Sequence, residues 1–195
     1  MRTPSIAEHL AAIGRALDAA KIDWYVFGAQ AVIAAGAIRQ TADLDITTAD
    51  VPVKVLERVL SGAGFVRRKG IPGIADLIAH HRILPLTHER SGLPLDVVRA
   101  GPGLEEQMLA RAIRRRVGRR SIPFVDTNDL LVLKVLAARP KDLEDVRALL
   151  RGGSTEIDLA TTRARLRELG QLLDDSTLIE IFEDQVKAAR RKKRT

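Results

Sequence analysis

The sequence predicts an α+β fold, with a mixed α/β half over residues 1–125 and an all-helical half over residues 126–195. Three observations carry that reading. Short runs rich in β-branched and apolar residues alternate with amphipathic helical segments as far as Val125. From Thr127 onward only helical spacing remains, as in Leu130, Leu131, Leu133, Val135 and Leu136, and again in Leu143, Val146, Leu149 and Leu150. The composition is 46% apolar but only 3% aromatic, so an ample core must be built from Leu, Ile, Val and Ala.

The elements follow in order. Ile6, Leu10, Ile13 and Leu17 recur at helical steps, and Ser5 can cap the helix they predict over 5–20. Residues 23–27 read as a strand closed by Gly28, and the alanine-rich Ala29–Ala37 as a packed helix. A strand carrying Asp43 and Asp45 comes next. Pro52 suits the first turn of a helix whose apolar face is Val55, Leu56, Val59 and Leu60, stopped by Gly62–Gly64. Phe65-Val66, Arg82–Leu86 and Leu93–Val98 are expected strands, and the stretch with Gly70, Pro72 and Gly73 is an expected loop. A helix over Leu104–Ile113 leads into the arginine-rich segment, and Ile122–Val125 is a brief strand. Beyond Gly152-Gly153, helices are expected over about 155–169 and 175–190, then the basic tail Arg190–Arg194.

Composition excludes several chemistries. With no cysteine there is no disulfide, thiolate nucleophile or cysteine-ligated zinc, which suits a reducing cytosol and a cytoplasmic location. No apolar run approaches the ~18 residues of a membrane span, and the N-terminal segment lacks the apolar core of a signal peptide. The formal net charge of +7 and a pI near 10.2 favour polyanionic partners such as nucleic acid, nucleotides or an acidic protein. Arg111–Arg120 holds six arginines and no acid, and Arg114, Arg115, Arg116, Arg119 and Arg120 are therefore expected to meet RNA or triphosphate. His80, His81 and His88 are expected on loops or the surface, because neighbours on a strand face opposite sides and cannot share a metal.

The candidate chemistry lies in three aspartates on predicted strands. Residues two apart on a strand share a face, so Asp43 and Asp45 should project together while Leu44 and Ile46 enter the core. Adjacent carboxylates repel and are costly to bury uncompensated, so a divalent cation is the usual remedy. Asp96, inside the apolar run Leu95–Val98, would complete an all-oxygen set suited to magnesium or manganese. Upstream, the strand-to-helix junction at Gly28-Ala29 offers free backbone N–H groups as a phosphate seat.

These residues resemble a known family. Phe27-Gly28-Ala29, a spacer, then Asp43-Leu44-Asp45-Ile46, with a later strand carboxylate at Asp96, is similar to the defining motif of the DNA polymerase β-like nucleotidyltransferases. Arg39-Gln40-Thr41-Ala42-Asp43-Leu44-Asp45, and Lys134 followed by Arg139–Asp145, resemble the AbiEii-type branch, the toxin halves of type IV toxin–antitoxin pairs. Ala29 stands where glycine or serine is usual in that motif. The resemblance covers roughly Trp24 to Leu150. It implies a polymerase β-like core with a mixed sheet and a C-terminal helical bundle. It further implies transfer of a nucleoside monophosphate from NTP to an acceptor hydroxyl, that of the tRNA 3′ end or another RNA, with a cognate antitoxin as a possible partner. In the implied roles Asp43, Asp45 and Asp96 hold the metal, and Asp96 also helps deprotonate the acceptor. Gly28, Ala29 and Thr41 line the phosphates, and Lys134 neutralises triphosphate charge. Arg39, Lys141 and Asp142 belong to the same nucleotide-binding set. The alternatives are a protein or small-molecule hydroxyl as acceptor, and a non-catalytic module binding RNA or protein on this scaffold.

Overall fold

A computed structural model describes residues 3–152 and 154–191, so Gly153 and the Lys192–Arg194 part of the basic tail lie outside the described residues. The chain forms two compact units. One comprises the chain up to Gln30 together with Gln40–Val125, and the other comprises Ala31–Arg39 and the chain from Asp126 on.

In the first unit, β1 (Trp24–Val26), β2 (Leu44–Thr48), β3 (Phe65–Arg67), β4 (Ile83–His88), β5 (Pro94–Arg99), β6 (Ile113–Val117) and β7 (Arg120–Phe124) form one mixed sheet in the order β3-β4-β5-β2-β1-β7-β6. The pairs β2–β5 and β1–β7 are parallel and the other four antiparallel. Alternation along the central strands is sharp: Leu44, Ile46, Leu95 and Val97 are fully buried, while Asp45 and Asp96 point to the other face. Helix α1 (Ile6–Ala19) packs on the apolar face, where Gly14 lies so close to Trp24 and Ile122 that an added Cβ would approach the indole to 3.1 Å. Its start is a complete capping box, with the Ser5 hydroxyl and the Glu8 carboxylate satisfying each other's backbone N–H groups. Helix α3 (Val53–Ser61) sends Leu56 and Leu60 into the same core. Helix α5 (Leu104–Ala110) places Met108 against the Tyr25 hydroxyl.

Several features depart from the sequence reading. The expected loop after β3 contains a short helix, α4 (Ile74–Ala79), started by Gly73 in the left-handed conformation (φ 68°). The expected arginine-rich arm is a β-hairpin of β6 and β7, turned at Gly118 (φ 58°). Three consecutive arginines, Arg114–Arg116, mimic neither a helix stripe nor a hydrophobic strand, which hid the element. His88 is buried at the end of β4 rather than lying on the surface. It packs edge-on against His9 (ring centroids 4.4 Å apart) and Phe65, and the Ser91 hydroxyl bridges the His88 Nδ1 (3.0 Å) and His9 Nε2 (3.2 Å).

The second unit is helical. It holds α6 (Thr127–Ala137), α7 (Pro140–Gly152), α8 (Leu159–Leu173) and α9 (Thr177–Arg191) around Leu131, Val135, Val146, Leu149, Leu166 and Phe182. Helix α2 (Gly28–Ala34) begins in the first unit and ends in the second. Helix α8 starts later than the sequence predicts because Asp158 caps it, accepting from the Ala160 N–H at 2.9 Å. Among the described residues no helix is long and apolar enough to cross a membrane.

Burial holds both His9 and His88 below the ordinary histidine pKa. The charge of His88 adds to this at His9 and that of Arg90 at His88, against opposition from Glu8 and Glu89. Depressed pKa values mean that the neutral rings stabilise the fold fully above the unfolded value of about 6.5, and that this contribution is lost as the pH falls below it. The thermal midpoint is expected to drop from pH 7.5 to pH 5.5, and a His9→Gln/His88→Gln double variant should show a flatter dependence in the same scan.

Candidate active site

The parallel register of β2 and β5 sets Asp45 directly beside Asp96, on the polar face of the sheet. Both are half-buried. Asp43 sits one residue ahead of β2, exposed, and is hydrogen-bonded through its Oδ1 by the Thr41 hydroxyl. Its charge still reaches Asp96. Burial pushes the Asp96 carboxyl above the ordinary aspartate range, the neighbouring Asp43 adds to the push, and Arg68 opposes it. The sequence thus brings three carboxylates to one end of two adjacent strands.

The glycine turn is fitted to this pair. The backbone N–H of Phe27 donates to the Asp45 carbonyl (3.0 Å), which delivers Gly28 over the Asp45 side chain. Gly28 adopts φ +63°, and a Cβ added there would overlap Asp45 Oδ2 and lie 2.9 Å from Cγ. No other residue fits. Ala29 follows as a buried residue at the start of the seven-residue α2.

Arg68 is a site residue that sequence reasoning missed. It directly follows β3, and its guanidinium donates from Nη2 to Asp96 Oδ1 (2.9 Å) and from Nη2 (3.0 Å) and Nε (3.3 Å) to the Leu86 carbonyl. The Arg67-Arg68-Lys69 run looks like ordinary surface charge, and only the sheet order β3-β4-β5 reveals the contact.

Lys134, Arg39, Asp142 and Asp145 come together in the second unit. The Lys134 ammonium is buried 2.8 Å from Asp142 Oδ1 and 2.8 Å from Asp145 Oδ2. Arg139 forks onto Asp142, and Arg39 pairs with Asp145. Burial disfavours the Asp142 charge, but the hydrogen bonds from Arg139 and Lys134 outweigh it and hold its carboxyl below the ordinary range. Lys141 is exposed.

Arg114 and Arg116 lie exposed on β6, and the pairings β2–β1–β7–β6 put them on the same face of the sheet as Asp45 and Asp96. Three strand spacings separate β6 from β2, roughly 14 Å. Arg115 points to the opposite face and Arg119 sits exposed in the turn. Arg120 pairs with Asp18 on α1 (3.2 Å).

Among the described residues no three acidic or histidine side chains converge as a ready metal centre. The chemistry of the donor set still fits a hard divalent cation. Asp45 and Asp96 are in-register neighbouring carboxylates, and Gly28 leaves open the space over Asp45 that its own side chain would fill. Asp45 and Asp96, with Asp43 beside them, are the residues that would hold magnesium or manganese.

No family model matches the chain, and no curated protein matches it in sequence. Solved structures do. The antibiotic-resistance factor ANT(2'')-Ia in solution superposes with a TM-score of 0.57 at 14% identity, over 86% of this chain and 94% of that chain. Its crystal structure in complex with adenylyl-2''-tobramycin gives 0.56 at 16% identity, over 82% of this chain and 97% of that one. An antigenic nucleotidyltransferase-like protein from Paracoccidioides brasiliensis superposes with a TM-score of 0.47 at 15% identity, over 91% and 94%. The chain has the polymerase β-like nucleotidyltransferase fold. The likeness lies at the level of that fold and does not single out the AbiEii branch.

Two substitutions test this local architecture. Gly28→Ala should cost at least about 1–3 kcal/mol from backbone strain alone, read as a lower midpoint in urea unfolding. Lys134→Met should cost about 3–5 kcal/mol, because two buried carboxylates lose a shared partner, and the loss should shrink in a Lys134→Met/Asp145→Asn double variant.

Proposed function

We propose that the protein is a magnesium- or manganese-dependent nucleotidyltransferase that moves a nucleoside monophosphate from NTP to an acceptor hydroxyl. The observation that carries this reading is the in-register pair Asp45–Asp96 beneath the Gly28 turn, on a nucleotidyltransferase fold. A divalent cation held by Asp43, Asp45 and Asp96 would neutralise phosphate charge and acidify the attacking hydroxyl. The acceptor oxygen attacks the α-phosphorus, the bond from that phosphorus to the bridging oxygen breaks, and pyrophosphate leaves. Asp96 takes the acceptor's proton. Gly28, Ala29 and Thr41 line the phosphates.

For the acceptor we favour RNA, the tRNA 3′ end among its forms, and a toxin–antitoxin setting with a cognate antitoxin. The support is the exposed Arg114 and Arg116 on the carboxylate face, a spacing suited to a strand of phosphates, together with the net charge of +7. A small-molecule hydroxyl is the second reading, favoured by the likeness to ANT(2'')-Ia, whose crystal structure holds adenylyl-2''-tobramycin.

The assay offers labelled NTPs and magnesium with either total tRNA or an aminoglycoside. Wild type is expected to label tRNA, and Asp45→Asn and Asp96→Asn to lose at least about a hundredfold in rate. Arg114→Gln/Arg116→Gln should lower RNA labelling and its salt dependence. Labelling of the aminoglycoside alone, untouched by the arginine changes, would establish the second reading. No labelling in either arm would overturn the proposal.

A further inference from the structure

Arg68 occupies an unusual position for a surface cation. Its backbone N–H donates to the Pro85 carbonyl (3.0 Å), and Pro85 is itself in register with Asp96, so Arg68, Pro85 and Asp96 form one row across β3, β4 and β5. The arginine side chain spans β4 to reach Asp96, a distance of two strand spacings, or roughly 10 Å between backbones. Proline at the middle position has no long side chain to block the way. The guanidinium is then pinned by two bonds to the Leu86 carbonyl and spends only one bond, to Oδ1, on Asp96. Its side chain remains 30% exposed and that of Asp96 40%.

We infer that Arg68 is a built-in counter-ion that holds Asp96 against the repulsion of its neighbouring carboxylates, yields that carboxylate to the divalent metal, and then serves the incoming triphosphate. The inference rests on the nucleotidyltransferase reading above. A guanidinium on Oδ1 and a divalent cation on the same carboxylate repel even through different oxygens, so binding one weakens the hold of the other. The Leu86 anchor makes the yielding productive. When Nη2 leaves Asp96, the bonds to the carbonyl keep the guanidinium at the rim of the site with its remaining N–H groups free to turn to anionic oxygen. A planar fork of this kind suits phosphate better than an ammonium. Metal and nucleotide binding are thereby coupled: the metal releases the arginine that helps bind the triphosphate, and by linkage the triphosphate favours the metal.

The test separates the two events. Free Mn2+ is measured by electron paramagnetic resonance in wild type, Arg68→Gln and Asp45→Asn without nucleotide. Inorganic triphosphate, the part common to every NTP, is then titrated by calorimetry at saturating Mn2+. Arg68→Gln is expected to bind Mn2+ about fivefold more tightly than wild type, the scale of one half-exposed ion pair. It should bind triphosphate about tenfold more weakly. Circular dichroism checks that each variant is folded. If Arg68→Gln and wild type bind Mn2+ equally while Asp45→Asn loses it, the metal site stands and the counter-ion role is overturned. Unchanged triphosphate affinity overturns the second half of that role. If no folded form binds Mn2+, the nucleotidyltransferase reading itself fails, and the inference with it.

Discussion

The repulsion between two carboxylates fixed side by side on parallel strands is the constraint around which the first unit is arranged. Asp45 and Asp96 cannot separate, because their backbones are locked by β2–β5 pairing and by the buried Leu44, Ile46, Leu95 and Val97 on the opposite face. A slip of one residue would relieve the repulsion only by turning that apolar set to water. The core therefore holds the charges together, and the polar face compensates: Arg68 reaches across one strand, Thr41 ties Asp43, and Gly28 places no side chain of its own above Asp45. Hydrophobic packing here stores an electrostatic demand that ligands can satisfy.

The second unit handles charge in the opposite way. Lys134, Arg39 and Arg139 converge on Asp142 and Asp145, and the fully buried Asp142 is compensated from within. Asp126 and Asp129 likewise share Arg165, at 2.5 and 2.9 Å. Such networks cost desolvation that their attraction roughly repays, so they add less to stability than to the choice of one arrangement. Arg39 belongs to the 31–39 segment, and its bond to Asp145 holds that segment, far away in sequence, on the helical unit.

The fold class was legible in the sequence, as were the aspartates from which the site is proposed. Period-two and helical spacing located the central strands and helices, and an aspartate inside Leu95–Val98 was conspicuous because packing alone would never place it there. What sequence could not supply was neighbourhood. Strand order decides that Asp96, rather than Asp43, lies beside Asp45, and that an arginine in a basic run after β3 meets it. The β6–β7 hairpin was hidden because its arginines erased the apolar alternation by which strands announce themselves. His88 was misplaced for a related reason: nothing in its own segment signals that His9, near the chain's start, packs against it.

The arginine hairpin has a consequence apart from any ligand. Among the described residues, strand β6 closes one side of the sheet and β3 the other, so each presents a row of backbone donors and acceptors without a partner strand. An exposed edge of this kind is a template for another chain, and natural sheets discourage it with charge. Arg114 and Arg116 on β6 set positive charge along that border, so two copies approaching through it meet like charges before their backbones can pair. Extending the sheet past β6 with a second copy would first require bringing arginines together.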